Sequence, residues 1–460
     1  MFQKVLGTFA NCFKIPELKS RIIFTVIILA ICRAISMIPI PGINGLGLQQ
    51  YFEQQTAAGG GGLMGMYSMF TGGALERCAI GALGIMPYIS ATIIIQLLSA
   101  VVPQLSKLMR EEGGRAKIIQ YGRYLTLLLC IGQGAFMTLS WSRPETFFEG
   151  FSGDLLMPYM REHLWWFFIQ TTVVLTTGTM LLMWFGEQIT ERGIGNGVSL
   201  IITIGILARL PAAFQGVKDM VTGTGGESFN IFYGVILIAL AVGVVASVIA
   251  ITQAQRKVPV QYAQRAVGRK VYQGGTSFMP LRVNYAGVMP VIFASAILMF
   301  PAQIFSKAGT YFNIEFFSRL ANMLQERHVF YMVVFGLMIL FFSYFWVATQ
   351  FNEIQIADDL KKYGGYIPGV RPGQATSDFL HNAMSRITLA GAVFLTVIAI
   401  IPIILTNQMG IQPQVAQFFG GTGMLITVGV MLDTMRQMES HLLMRHYDGF
   451  LKKGRIKGRL

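Results

Sequence analysis

The most constraining stretch of this sequence runs from Cys78 to Val102 and contains no charged residue. Its 25 residues are enough to cross a bilayer core of about 30 Å as a single α-helix. Pro87 lies inside the stretch and lacks a backbone N–H, so we expect a helix that is kinked there. Ile85 and Ile89, four residues apart, share one helical face. The pattern predicts a kinked membrane helix, and simple packing or the lining of a pathway would each explain it.

The whole chain repeats this apolar character. Hydrophobic residues make up 53% and charged residues 13% of the sequence, whereas soluble domains carry about 25% charged residues. The composition predicts an all-α polytopic membrane protein with ten transmembrane helices. The ten apolar segments are Ile22–Pro39, Cys78–Val102, Tyr124–Leu139, Leu164–Phe185, Val198–Leu210, Ile231–Ile251, Val283–Phe305, Val329–Ala348, Ile387–Leu405 and Phe418–Leu432.

The basic residues predict the orientation of these helices. An even number of spans places both termini on one side, and that side holds three quarters of the 36 Lys and Arg residues. The positive-inside rule makes it the cytoplasmic side. Since the basic clusters alternate along the chain, the net charge of +14 indicates orientation rather than nucleic-acid binding. Two long basic loops on this side, Gln253–Arg282 and Gln350–Arg386, are expected to be functional or disordered.

Charged and metal-binding residues exclude several classes of function. Arg33 and Asp433 are the intramembrane charges, both near span ends, where we expect them to snorkel to the interface. The glycine-rich Gly193–Gly197 stretch follows a helix instead of a strand, so it predicts a tight turn and not a nucleotide site. Four scattered cysteines with no C-x-x-C spacing indicate neither a metal site nor a disulfide framework: Cys12, Cys32, Cys78 and Cys130. We expect no cofactor and no enzymatic activity.

Five motifs, in order along the chain, resemble the SecY family of bacterial protein-conducting channels. They are Phe70-Thr-Gly-Gly-Ala-Leu, Gly84-Ile-Met-Pro-Tyr-Ile-Ser-Ala, Gly186-Glu-Gln-Ile-Thr-Glu-Arg-Gly-Ile-Gly-Asn-Gly, Val283-Asn-Tyr-Ala-Gly-Val-Met-Pro and Gly369-Val-Arg-Pro-Gly. The resemblance implies two inverted five-helix halves, residues 1–220 and 221–435, and a basic cytoplasmic tail, residues 436–460. The halves would surround an hourglass pore with a plug and a lateral gate.

The resemblance also implies a function and a set of partners. Such a channel moves unfolded secretory polypeptides across the bacterial cytoplasmic membrane and releases transmembrane segments sideways into the lipid bilayer. SecE and SecG would be its companion subunits, and the SecA ATPase or a ribosome would drive it. Signal peptides and nascent chains would be its substrates, and the basic loops could contact ribosomal RNA.

Individual residues carry over from the family by position. The implied pore ring is Ile85, Ile89, Val198, Ile202, Ile292 and Ile426. The implied plug includes Met64, Met66, Met69, Phe70, Gly72 and Gly73. The implied lateral gate is Ser90, Thr92, Gln133 and Asn284. The implied docking residues for SecA or the ribosome are Arg256, Lys257 and Arg371.

Three places depart from the family pattern. Glu76 stands just after the plug, where the resemblance implies a small residue. The Gly59–Gly62 run is atypical of the family, and the outer loop Ser142–Glu162 matches none of the motifs that carry the resemblance.

Two other functions fit parts of the sequence. An ion-coupled transporter would fit the span count and the inverted halves, but it would need a charged midplane site. A non-catalytic membrane scaffold would leave the basic loops unexplained.

Overall fold

The structure is a computed structural model, and it is mostly helical. Each of the ten apolar segments overlaps one of its helices. The residues that it describes are 15–57, 67–68, 70–111, 113–147, 151, 153–222, 231–262, 265–267, 270–272, 275–312, 314–324, 328–409, 415, 418 and 422–453.

The helices and strands follow each other along the chain with the following bounds. The helices are α1 Pro16–Ile35, α2 Gly45–Ala57, α3 Met86–Val101, α4 Pro103–Arg110, α5 Gly114–Ser142, α6 Pro144–Phe147, α7 Pro158–Glu162, α8 Leu164–Arg192, α9 Gly197–Leu207, α10 Leu210–Thr222, α11 Ile231–Gln253, α12 Met289–Phe312, α13 Glu315–Met323, α14 Val329–Gln350, α15 Glu353–Lys362, α16 Gln374–Met409 and α17 Thr422–Lys453. The strands are β1 Gln255–Tyr262, β2 Arg265–Val267, β3 Lys270–Tyr272, β4 Thr276–Arg282 and β5 Gly365–Tyr366.

Within the described part of the chain, 6 helical stretches are long and apolar enough to cross a membrane. Two shorter apolar helices, Met86–Ser99 and Met289–Leu298, accompany them. The long stretches are Ala116–Ser142, Leu164–Arg192, Gly197–Lys218, Gly234–Gln253, Val329–Lys362 and Gln374–Ile401. The chain is therefore a multi-pass membrane protein, and the count of ten spans stays a prediction.

The charge-free stretch Cys78–Val102 is not one helix. Helix α3 begins at Met86, so Pro87 lies in its first turn, where a missing N–H costs no hydrogen bond. The prediction of a kink at Pro87 is therefore wrong. The residues before it form successive turns, which we call the turn segment (residues 70–85). Non-helical backbone at membrane depth is tolerated where protein buries it.

The chain divides into two compact units. The first comprises Met1–Gly234, Gly410–Phe418 and Ile426–Leu460. In it, helix α8 packs against α1, α5 and α9, and its buried face carries small residues that let helices approach closely. At Gly178 on this face, an added Cβ would lie 2.3 Å from the carbonyl oxygen of Ile80. This glycine therefore lets α8 touch the backbone of the turn segment.

The outer loop Ser142–Glu162 is tied to the first unit by backbone hydrogen bonds. The N–H of Asn44 donates to the carbonyl of Leu155 at 2.8 Å, and the N–H of Met157 donates to Gly42 at 3.1 Å. On the loop surface, Arg161 bonds to the Asp154 carboxylate and thereby lowers the pKa of that carboxyl. The described part of this loop thus lies along the residues that follow α1.

The second unit comprises Val235–Met409 and Phe419–Leu425. Helix α14 packs against α12 and α16 there, and α15 packs against α16. A buried apolar cluster joins the ends of these helices to strands β1 and β4. Its members are Val258, Leu281, Val347, Phe351, Ile367, Leu380, Ala383 and Met384.

Both long basic loops contribute to one antiparallel sheet in this unit, which the sequence analysis did not predict. The strand order is β4-β1-β5, and β1 pairs with β4 from Gln255↔Arg282 to Gln261↔Thr276. Strand β5, from the second loop, pairs with the end of β1 at Gln261↔Tyr366. The Tyr366 hydroxyl also donates to the side-chain oxygen of Gln261 at 3.0 Å. The two loops therefore form one structure.

Candidate functional site

The turn segment takes its path from two adjacent glycines. Gly72 and Gly73 have φ of +66° and +84°, a left-handed conformation that side chains disfavour. The N–H of Gly73 donates to the carbonyl of Ser68 at 2.8 Å, and the N–H of Thr71 donates to Tyr67 at 3.1 Å. The glycine pair thus provides the left-handed backbone that closes these turns, which gives the Thr-Gly-Gly motif a physical reason.

The turn segment lies against helix α9. A Cβ at Gly72 would lie 3.0 Å from the Cα of Gly205, and one at Gly205 would lie 3.1 Å from the carbonyl oxygen of Phe70. Arg33 of α1 donates from Nη1 to the Gly72 carbonyl at 2.6 Å. Arg33 thus has a hydrogen-bond partner within the protein, and its snorkelling to the interface stays a prediction.

A polar cluster of three side chains holds the same region, and we call it the Arg209 cluster (Ser68, Glu76 and Arg209). Arg209, between α9 and α10, bonds to the Glu76 carboxylate and to the Ser68 hydroxyl. The Ser68 hydroxyl donates to Glu76 at 2.6 Å. The ionic side chains are only 18% and 19% exposed, so water screens the pair less than it screens a surface pair. Glu76, which we expected to depart from the family pattern, therefore has an ionic partner in Arg209.

A small cavity lies between the turn segment and the helices of the first unit. Its volume is about 20 Å³, room for about one water molecule. Ile85 lines it together with Ile201, Ile204 and Gly205 of α9. Sequence reasoning named Val198 and Ile202 on this helix, and neither of these borders the cavity. Nothing in the sequence indicated that Ile201 and Ile204 line the cavity, because the neighbouring residues of α9 are aliphatic too.

The predicted ring residues occupy helix starts and buried positions. Ile85 precedes α3, and its carbonyl accepts the N–H of Ile89 at 3.2 Å, so the two side chains follow one another by one helical turn. Asn196 caps α9 by accepting the N–H of Ser199, which places Val198 and Ile202 in the first turns. Val198 is half-buried. The other five members are buried: Ile85, Ile89, Ile202, Ile292 and Ile426. Ile292 belongs to the second unit and the others to the first.

The predicted gate residues make local hydrogen bonds. Ser90 and Thr92 donate to the carbonyls of Met86 and Tyr88 within α3. Asn284 donates to the Gly287 carbonyl at 2.9 Å and shapes the turn before α12. Gln133 is half-buried on α5. Their assignment to a gate stays a prediction.

Of the predicted plug residues, Phe70 is buried and belongs with Gly72 and Gly73 to the turn segment. Met64, Met66 and Met69 lie outside the described residues, as does Cys12. In the part of the chain that the structure describes, no three His, Cys, Asp or Glu side chains come together as a metal site.

The predicted docking residues are all exposed. Arg256 and Lys257 are exposed on β1, opposite Leu281 and Pro280 of β4. Arg371 is exposed in the turn after β5, and its carbonyl accepts the Thr376 hydroxyl at 2.9 Å. Because β1 and β5 pair, residues from two distant loops belong to one sheet structure.

Comparison with solved structures defines the class of this fold. The chain matches "The structure of a protein conducting channel" with a TM-score of 0.61 and 18% identity, over 97% of this chain and 99% of that one. It matches Sec61 in a canine ribosome-channel complex with a TM-score of 0.56 and 17% identity, over the same shares. These likenesses define a multi-pass helical membrane protein with the fold of a protein-conducting channel.

Sequence relatives narrow the class to a family. The SecY family profile matches residues 79–435. The chain is 44% identical over 465 residues to the protein translocase subunit SecY of Chlamydia trachomatis, covering 99% of this chain and 100% of the relative. It is 41% identical over 453 residues to that of Thermotoga maritima, covering 98% and 99%. The chain belongs to the SecY family, which confirms the resemblance drawn from the five motifs.

Proposed function

We propose that this chain is the channel subunit of a protein translocase in a bacterial cytoplasmic membrane, with both termini in the cytoplasm. The relatives' names support the activity. The observation that carries the proposal is the turn segment, non-helical backbone that is buried in contact with α1, α8 and α9. A buried segment of this kind can leave its site and open a path without unfolding a membrane helix. We assign its first residues, 70–75, to the plug, together with the residues just before them.

The proposed channel has two inverted halves, residues 1–220 and 221–435, and a basic tail, residues 436–460. Four helices supply the proposed ring of Ile85, Ile89, Val198, Ile202, Ile292 and Ile426. Aliphatic side chains make no fixed hydrogen bonds, so they can part around any polypeptide and still exclude water when they meet. A signal segment that moves sideways into lipid gains about 0.8 kcal/mol per buried CH₂. Partitioning thus sorts substrates without a chemical step.

The partners of this proposed channel follow from its role. SecE and SecG accompany it, and SecA or a ribosome supplies the driving energy, so the chain itself needs no catalytic site. One solved structural relative is in a ribosome-channel complex, which supports ribosome docking. The exposed basic residues on the sheet support a partner with carboxylates or ribosomal RNA phosphates.

Reconstitution tests the proposed function. The full chain, purified with the small subunits that accompany it, is placed in liposomes with SecA, ATP and an unfolded secretory protein. We expect the secretory protein to become protected from added protease, and protection to require a functional signal peptide. Uptake of a small solute without polypeptide transport would overturn the proposal in favour of a transporter.

Arg371→Glu should lower SecA-driven translocation by about tenfold, the equivalent of about 1.4 kcal/mol of lost docking energy. The exposed guanidinium suits pairing with a carboxylate, and charge reversal turns that attraction into repulsion. Initial rates of protease protection measure the effect. Lys362→Glu, at an exposed position on α15, is the charge-matched control. Equal rates for Arg371→Glu and the unmodified chain would contradict the docking role.

Asn284→Leu should change how hydrophobic a signal peptide must be for export. It removes the 2.9 Å hydrogen bond to the Gly287 carbonyl, worth about 1 kcal/mol, comparable to about one buried CH₂. Export of a signal-peptide series with stepwise leucine replacement measures the threshold. Ser343→Ala, which removes a buried 2.7 Å hydrogen bond within α14, is the control. An unchanged threshold in Asn284→Leu would make this residue structural only.

A further inference from the structure

Two arginines, Arg33 on α1 and Arg209 between α9 and α10, make polar contacts with the turn segment and with Ser68 just before it. Arg33 of α1 donates to the Gly72 carbonyl, and Arg209 bonds to Ser68 and Glu76. Gly205 lets α9 approach the backbone of Phe70 and Gly72 closely. Any motion that carries Ser68 and Gly72 away from α9 must break both sets of contacts. The segment is therefore held by polar contacts in addition to its buried apolar residues.

We propose that the Arg209 cluster is a polar latch that sets how readily the plug leaves its site, with Arg209 as the positioning residue. This inference rests on the proposed channel function. Arg209 stands at the junction of α9 and α10, and Glu76 comes just after the proposed plug, on the side toward α3. The charged pair thus joins the base of the movable element to the helices that surround it.

The chemistry of the cluster fits a latch of adjustable strength. Both ionic side chains are mostly buried, so loss of either charge leaves the other without its partner in a poorly screened place. The Nε of Arg209 is buried and has no hydrogen-bond partner among the described residues, and Nη2 makes the bonds to Ser68 and Glu76. Ser68 links the two charges and moves with the plug. Opening therefore separates Ser68 from both of them.

Glu76→Gln keeps the shape of the side chain and removes its charge, and we expect it to raise resting ion conductance in planar bilayers several-fold. Arg209→Gln should act in the same direction. The double variant should conduct no more than the stronger single variant, since both changes remove one interaction. The exchange of Glu76→Arg with Arg209→Glu should bring conductance back toward that of the unmodified chain.

A matched control separates the latch from general damage to the first unit. Glu187→Gln removes another mostly buried carboxylate, 15% exposed, from its bonds with Arg123 at 2.7 and 3.1 Å. That pair lies on α5 and α8, and neither residue belongs to the plug. We expect Glu187→Gln to leave conductance unchanged. Recovery of each variant from the membrane, measured by immunoblot, shows that the chain has folded.

The deletion of residues 64–71 distinguishes failure of the latch from failure of the channel proposal. If that deletion raises conductance and Glu76→Gln with Arg209→Gln does not, the latch is overturned and the channel stands. If the deletion itself leaves the bilayer sealed, the plug assignment is overturned, and the latch with it. Additive effects of the two single variants would also overturn the latch, because independent effects cannot come from one pair.

Discussion

Replacing Ile89 and Ile202 with serine, in a chain that also lacks residues 64–71, will raise ion conductance about tenfold above the deletion alone. Both isoleucines are buried, and each stands in the first turns of its helix. Serine is smaller and carries a hydroxyl, so a constriction that contains two serines is wider and holds water. The deletion is included because an intact plug would mask part of the effect. Single-channel recording in planar bilayers measures the result.

The matched control for this experiment is Ile206→Ser in the same plug-deleted chain. Ile206 is fully buried one helical turn beyond Ile202 on α9, but it is not a proposed ring residue. Conductance should stay at the level of the deletion alone. If Ile89→Ser with Ile202→Ser conducts no more than this control, the two side chains are ordinary packing residues, and the ring assignment is wrong.

Gly178→Ala will destabilise the chain by about 3 kcal/mol, the upper part of the usual range for overpacking. The new Cβ would lie 2.3 Å from the Ile80 carbonyl oxygen and 3.0 Å from its carbonyl carbon. Both atoms belong to the backbone, so no side-chain rotation can relieve the clash, and α8 must move from the turn segment. Thermal unfolding in detergent, followed by tryptophan fluorescence, measures the loss.

Gly132→Ala, on the neighbouring helix α5, is the control and should not lower the stability of the chain. Nothing lies within 4 Å of a Cβ at this position in α5, and alanine favours a helix over glycine by about 1 kcal/mol. The control should therefore unfold at the same temperature as the original chain or higher. Equal unfolding temperatures for Gly178→Ala and Gly132→Ala would contradict the close contact of α8 with Ile80.

The longest helices could be predicted because their apolar segments, such as Leu164–Phe185 and Val329–Ala348, are long and free of charged residues. It misled us at Cys78–Val102, where an apolar stretch includes buried turns as well as a helix. The signals were present: Pro87 favours a first helical turn, and Gly84 adopts a left-handed φ of +59°. Hydrophobicity reports burial, and it does not distinguish a buried helix from buried turns.

The contacts of the turn segment could not be predicted, because their partners are distant in sequence. Glu76 and Arg209 are 133 positions apart, and Arg33 and Gly72 are 39 apart. Each charge taken alone fits a residue at the membrane interface. Only the fold brings the members of each pair together, so no local pattern could identify them.

Strand β1 of the sheet in the basic loops could have been predicted from its alternation of apolar and polar residues. The length of the loop led us to expect a functional or disordered segment instead. Val258 and Val260 are buried while Lys257 and Pro259 between and beside them are exposed, the alternation of a strand with one face packed. The pairing of β1 with β5 joins residues that are about a hundred positions apart, and alternation alone does not identify a partner strand.

The shared sheet has a mechanical consequence. A partner that pulls or pushes on the turn around Arg371 also loads β1 through the backbone pairing at Gln261 and Tyr366. Strand β1 continues directly from α11, and the sheet rests on the ends of α14 and α16. We therefore expect a force applied at either loop to be divided among three long helices, so that they respond together rather than one at a time.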